Sequence, residues 1–173
     1  MPTLHLIEGP VGAGKSTFAA RLGASLAAPR LILDEWMVTL FRPDRPQTDF
    51  MNWYAERKNR CIEQIWRVAS DLLDTGNDAI LELGLVQLQD RIDFYSRIDA
   101  SNADLKVYLI DAPVETRRQR VRERNRQQGT TFQMEVPDEI FEIANRAWQA
   151  PDDAELAQRD IQLVSAQTGT FST

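Results

Sequence analysis

Short apolar runs recur along the chain at Leu4–Ile7, Leu31–Leu33, Ala79–Leu83, Val107–Ile110 and Ile161–Val164. Between them lie longer stretches whose apolar residues fall at steps of three and four, the spacing of helices with one buried face. Runs that are apolar on both faces belong to a parallel sheet covered by helices on either side. Strand and helix alternate over the whole length, which predicts a doubly wound α/β fold with right-handed crossovers. In such a fold functional groups collect at the carboxyl ends of the strands.

The first helix is expected from Ser16 to Ala28, where Pro29 stops it. The second strand delivers Asp34-Glu35, and a loop is expected to follow, irregular over Arg42–Thr48 with its two prolines. A long helix should run from about Asp49 to Asp74, with an inward stripe of Phe50, Tyr54, Arg57, Cys61, Ile65, Val68 and Leu72. Thr75-Gly76-Asn77 closes it. The third strand carries a lone acid, Glu82, and ends at Gly84; a helix from Gln87 to Ala100 leads to the fourth strand and to Asp111-Ala112-Pro113. An arginine-loaded helix, a loop at Gly129 and a helix opened by Pro137-Asp138 follow. Ala150–Glu155 reads as a second loop, and the last strand ends at Ser165-Ala166-Gln167-Thr168-Gly169. No repeat or low-complexity tract interrupts the series, so residues 1–173 are expected to form one domain.

The connection after the first strand carries the most specific pattern. Gly9-Pro10-Val11-Gly12-Ala13-Gly14-Lys15-Ser16-Thr17 fits G-x-x-x-x-G-K-[ST], the Walker A phosphate loop, in the strand–loop–helix setting that the motif requires. Its glycines let successive backbone N–H groups turn toward phosphate oxygens, and the helix N-terminus adds unpaired donors and a favourable dipole. Lys15 is placed to reach the β- and γ-phosphates, and the Ser16 hydroxyl to bind Mg²⁺. ATP and Mg²⁺ are therefore the expected cofactors.

Composition narrows the setting. A net charge of −6 gives no global basic field, which counts against nucleic acid and anionic membrane as partners. No apolar run approaches the length of a membrane span. The one cysteine, Cys61, cannot form an internal disulfide, and the first residues run into a strand without a leader pattern. The expectation is a cytoplasmic globular protein; nothing in the pattern sets an oligomeric state.

Six arginines lie between positions 117 and 126: Arg117, Arg118, Arg120, Arg122, Arg124 and Arg126. A helix gathers Arg117, Arg120 and Arg124 on one face, and Arg118, Arg122 and Arg126 on the next. Phosphoryl transfer needs such permanently charged, planar donors; the plainer reading is a solvated face relieved by Glu115 and Glu123. Asp34 stands where a carboxylate could take the proton of an acceptor hydroxyl, or merely serve a turn, with Glu35 as its substitute. Glu82 could support Mg²⁺ or substrate, or bond structurally to Ser16 or Thr17. Arg57 could bind a polar part of the acceptor or reach solvent. Arg42 and Arg45 are expected to be solvated, Asp111 to cap a helix, Phe141 and Trp148 to pack in the core, and His5 to lie away from the cleft. No Cys/His spacing suggests zinc.

These residues resemble the small P-loop kinases of the nucleoside monophosphate kinase-like group over nearly the whole chain. The hallmarks are the loop Gly9–Thr17, the acid Asp34 after strand two, and a lid, approximately 113–136, containing Arg120-Val121-Arg122-Glu123-Arg124. Leu33-Asp34-Glu35-Trp36-Met37, Leu81-Glu82-Leu83-Gly84 and Arg120 to Asn125 look most like bacterial predicted kinases related to polynucleotide kinase, zeta toxin and chloramphenicol phosphotransferase. The resemblance implies a five-stranded parallel sheet ordered 2-3-1-4-5, Mg-ATP as donor, and lid arginines Arg120 and Arg124 on the nucleotide. Glu82 stands where the group often has Asp, and the Asp-Gly-Phe-Pro-Arg segment of adenylate kinases is absent.

The expected activity is transfer of the γ-phosphoryl of Mg-ATP to a hydroxyl of a small acceptor. Asp34, Lys15, Arg120 and Arg124 are the expected catalytic residues; Asp34, Arg57 and Glu82 line the acceptor, and Ser16 and Glu82 serve the metal. An ATPase or nucleotide-dependent switch is the alternative, and a polynucleotide 5′-hydroxyl kinase a variant.

Overall fold

A computed structural model describes residues 1–101, 103–129 and 135–165. Five parallel strands form one sheet in the order β2-β3-β1-β4-β5, with β1 at Thr3–Glu8, β2 at Arg30–Ile32, β3 at Ala79–Glu82, β4 at Asp104–Asp111 and β5 at Ile161–Ser165. The helices are α1 Lys15–Leu26, α2 Leu33–Phe41, α3 Phe50–Asp74, α4 Leu88–Ser101, α5 Val114–Gln127, α6 Asp138–Ala147 and α7 Asp153–Gln158. The expected doubly wound α/β fold and its sheet order are both present.

Strand alternation divides the core in two. Leu4, Leu6 and Leu81 turn to one face, where Cys61, Ile65, Ala69 and Leu73 of α3 and Phe94 and Ile98 of α4 cover them. Ile7, Ile80 and Ile110 turn to the other, against Phe18, Ala19 and Leu22 of α1. Ile65 is fully buried, and truncating it to alanine would cost about 2–5 kcal/mol. β1 pairs with β3 on one side, Leu6 opposite Leu81, and with β4 on the other, Glu8 opposite Leu109. The chain order reverses across β1, so the crevice beyond its carboxyl end is the switch point of the sheet. The phosphate loop lies there.

Three local expectations change. Residues after Asp34 form α2 instead of a loop, because Leu33 and Met37 are four apart and both buried. Asp34 and Glu35 thereby occupy the first turn of a helix, where its dipole favours negative charge. The buried stripe of α3 is Cys61, Ile65, Ala69 and Leu73; Val68 and Leu72 are half-buried beside it, and Arg57 is not part of it. Ala150–Glu155 is not a loop throughout: Asp152 accepts the Glu155 N–H at 2.8 Å and starts α7. The end of α3 follows the expected punctuation, with Gly76 at φ +83° and Asn77 N–H returning to Leu72 O at 2.9 Å. Residues 130–134 of the expected lid and 166–169 after the last strand lie outside the described residues. Among the described residues no helix is long and apolar enough to cross a membrane.

Candidate active site

Two glycines fix the path of the loop Gly9–Thr17. Gly9 has φ +145°, and a Cβ there would stand 2.1 Å from Ile110 O. Gly12 has φ +77°, and its Cβ would meet Arg117 O at 2.6 Å. No side chain could fit either position. α1 then opens at Lys15 with no side chain capping its first turn, so the leading N–H groups are presented to an anion.

Lys15 Nζ donates to Pro10 O at 3.0 Å and stands 3.9 Å from Glu82 Oε1. Ser16 Oγ donates to Glu82 Oε2 at 3.2 Å. Glu82 is buried at the end of β3, and burial raises its pKa; Lys15 pulls it down, while Asp34 pushes it up. Asp34 also acts on Tyr54 of α3, whose phenol is pushed up to about 12 by burial first and Asp34 second. Lys15, Ser16, Asp34, Tyr54 and Glu82 thus converge from four elements.

The arginines of α5 divide by role. Arg117 is buried: it donates to Val11 O at 3.1 Å, Ala112 O at 2.9 Å and Asn145 Oδ1 at 2.7 Å, tying the phosphate loop to α6. Arg118 pairs with Glu115 and Glu142, and Arg122 with Asp138. Arg120 donates to Ala13 O inside the loop at 3.2 Å. Arg124 is half-buried, and its Nε is shielded from solvent with no hydrogen-bond partner among the described residues. Burial lowers the pKa of Arg124, opposed by Asp34 and then Glu82. Arg124 is thus in electrostatic reach of both Asp34 and Glu82. Asn125 receives the Val136 N–H at 3.1 Å and donates to Val136 O at 2.8 Å, clasping the start of α6 to the end of α5.

Other sequence candidates lie apart. Arg57 folds back on its own helix, donating to Trp53 O at 3.2 Å with its guanidinium 4.8 Å from the Trp53 ring. Asp111 is not a helix cap: it accepts the Ala112 N–H at 2.7 Å and stands 3.7 Å from Arg117, while Pro113 holds the cap position. His5 meets Tyr108 on β4 at 3.0 Å, and burial lowers its pKa. Phe141 is fully buried, and Trp148 lies under the guanidinium of Arg91.

Sequence reasoning passed over four residues. Glu8, Arg91, Tyr95 and Glu155 form a buried cluster directly behind the loop. The available signal was a carboxylate closing an apolar strand next to Gly9. Tyr54 was assigned to packing alone, and only α2 brings Asp34 beside it.

Hard oxygen donors suit Mg²⁺, which keeps most of its ligands as water and phosphate and takes few from protein. The Ser16 hydroxyl and the Glu82 carboxylate beside it fit that requirement. Among the described residues no group of three His, Cys, Asp or Glu could hold a metal by itself.

No curated protein matches the chain. Several solved structures share its fold. A Chloroflexus aurantiacus protein described as a "putative kinase" is 17% identical, with a TM-score of 0.71 over 96% of this chain and 86% of that one. Kti12 of Chaetomium thermophilum, in complex with ADP-AlF3, is 15% identical, with a TM-score of 0.68 over 95% and 89%. The Mycobacterium tuberculosis APS kinase CysC, in complex with AMPPNP and APS, is 15% identical, with a TM-score of 0.65 over 97% and 90%. With a match that runs over residues 4–151 and takes in the phosphate loop, Asp34, Glu82 and all of α5, the chain belongs to the AAA domain family of P-loop proteins.

Proposed function

We propose that the protein is an ATP-dependent kinase that transfers the γ-phosphoryl group to a hydroxyl of a small acceptor. The observation that carries this reading is the buried Nε of Arg124, which has no hydrogen-bond partner among the described residues, on an arginine in electrostatic reach of Asp34 and Glu82. A cation committed to a solvated face would have found a carboxylate, as Arg118 and Arg122 do. The fold shared with structures holding ADP-AlF3 and AMPPNP supports the nucleotide assignment.

The loop N–H groups and Lys15 hold the β- and γ-phosphates, and Arg120 and Arg124 neutralise charge as the γ-phosphoryl moves. Asp34 takes the acceptor hydroxyl proton; the acceptor oxygen bonds to the γ-phosphorus as the bond to the β–γ bridging oxygen breaks, releasing ADP. Ser16 and Glu82 would hold Mg²⁺, which would supply charge neutralisation on the phosphates. Tyr54 borders the acceptor next to Asp34.

Mg-ATP turnover with pooled nucleosides, sugars, hydroxylated antibiotics and 5′-hydroxyl oligonucleotides tests the proposal. Stimulation by one pool, lost in Asp34→Asn while ATP affinity is kept, is the expected result. Slow turnover indifferent to every pool and to Asp34 would instead support an ATPase or switch.

A further inference from the structure

Behind the phosphate loop, Glu8 of β1, Arg91 and Tyr95 of α4 and Glu155 of α7 meet in a space closed to water; none is more than 6% exposed. Arg91 gives Nε to Glu155 Oε1 at 2.7 Å and Nη2 to Glu155 Oε2 at 2.8 Å. That bidentate pair takes up the guanidinium charge. Glu8 keeps a weaker contact, its Oε2 lying 3.9 Å from Arg91 Nε. The Tyr95 hydroxyl stands 3.1 and 3.2 Å from the two oxygens of Glu8 and 3.1 Å from Glu155 Oε1.

One phenolic proton cannot serve two carboxylates. With both acids ionised, the cluster would bury two anions against one cation, and one tyrosine contact would contain no proton. A single proton on Glu8 resolves both conflicts: Glu8 donates to the Tyr95 oxygen, Tyr95 donates to Glu155, and Glu155 balances Arg91. The environment agrees, since burial pushes the Glu8 carboxyl up to about 8, against the pull of Arg91 and Tyr95 and with the help of Glu155. Neighbouring charges are already engaged. Arg159 lies 4.7 Å over the Tyr95 ring but is held by Asp99 at 2.7 Å, and Asp152 accepts the Glu155 N–H. On β4 the register partner of Glu8 is Leu109, and Trp148 covers Arg91.

Glu8 is bonded directly to Gly9, which has no free space toward Ile110. A displacement of Glu8 away from Glu155 is therefore passed to the first residue of the loop. We propose that Glu8 is a positioning residue of the phosphate loop: protonated, it ties β1 to α4 and α7 and holds Gly9 in place, and ionised, it weakens the grip on nucleotide. This rests on the nucleotide-binding reading of the loop given above.

The test is calorimetric binding of AMPPNP with Mg²⁺ to the whole chain between pH 6.5 and 9.5, for the wild type, Glu8→Gln and Tyr95→Phe. Glutamine places an N–H donor where the protonated acid has its O–H, and it cannot ionise. Wild-type affinity is expected to fall about five- to tenfold from pH 7 to 9 while Glu8→Gln stays nearly level. Tyr95→Phe removes the hydroxyl that the two acids share, so the midpoint of the fall moves from its wild-type pH. Parallel wild-type and Glu8→Gln profiles would overturn the proposal. Should Glu8→Gln fail to fold, an unmoved midpoint in Tyr95→Phe overturns it as well. A wild type that binds no AMPPNP at any pH defeats the loop reading and this proposal together, whereas binding with identical profiles defeats this one alone.

Discussion

Ser16 and Glu82, 66 residues apart, share a hydrogen bond of 3.2 Å that joins the first turn of α1 to the end of β3. The bond turns the Ser16 oxygen toward an anion and leaves its lone pairs for a cation. Glu82→Gln keeps a hydrogen-bonding group but removes the negative charge. Turnover is expected to fall about 10–100-fold and to need more Mg²⁺. A Mg²⁺ titration of the rate checks this, and an unchanged requirement would leave Glu82 as a brace for α1.

Arg124 and Arg118 lie on the same helix with opposite surroundings. Arg118 is held by Glu115 and Glu142, whereas Arg124 Nε has no hydrogen-bond partner among the described residues. Arg124→Ala should lower kcat by about 10³-fold, the range of an arginine supplied within the chain. Arg118→Ala should leave kcat within about twofold and barely change the urea unfolding midpoint. Equal losses in both variants would mean that the lid acts through its overall charge.

Lys15 holds Pro10 O in this structure. Lys15→Ala should weaken ATP binding and abolish turnover together, since on the proposed reading the amine that braces the loop also meets the phosphates. Binding calorimetry and a single-turnover assay read the two effects separately, and full activity would refute the loop assignment.

The Arg91–Glu155 pair is buried from both ends. Removing one partner strands the other charge away from water, so Arg91→Ala should cost about 3–5 kcal/mol. Chemical denaturation measures it, and a loss under about 1 kcal/mol would show that water enters the cluster.

Glu8 adds a pH signature to stability. Its folded value near 8 lies above the ordinary 4.5, so the folded protein keeps a proton that the unfolded chain releases. That contribution is full below about 4.5 and is lost as pH rises toward 8, at a limiting slope of about 1.4 kcal/mol per pH unit. Wild-type stability relative to Glu8→Gln should therefore decline from pH 5 to 8 and level off above. A difference that stays constant across that range would mean Glu8 ionises normally when folded.

Residues 9–17 declared the nucleotide loop in the sequence because a tight turn around phosphate admits few residue types, and Gly9 and Gly12 leave no room for others. The doubly wound fold was equally legible, since strands buried on both faces must be apolar throughout. Asp34 and Glu82 stood out as acids at strand ends, and Arg120 and Arg124 as positive charges on one helix face. Helix α2 was not legible, because its 9 residues show only about two and a half turns of the helical period and two nearby prolines suggest a loop.

Which arginines are held by neighbouring helices and which are not was decided only by tertiary structure. Six arginines on one helix look alike in sequence, and their fates depend on what the fold brings near them: Glu142 and Asp138 take Arg118 and Arg122, Asn145 takes Arg117, and Arg124 is left in electrostatic reach of Asp34 and Glu82. The same holds for Glu8, whose partners lie more than 80 positions away at Arg91 and Tyr95. Local sequence marks the loop because its left-handed glycine positions are limits of each residue's own backbone. The charge on a side chain is set by whatever the fold packs against it, and that information is spread over the whole chain.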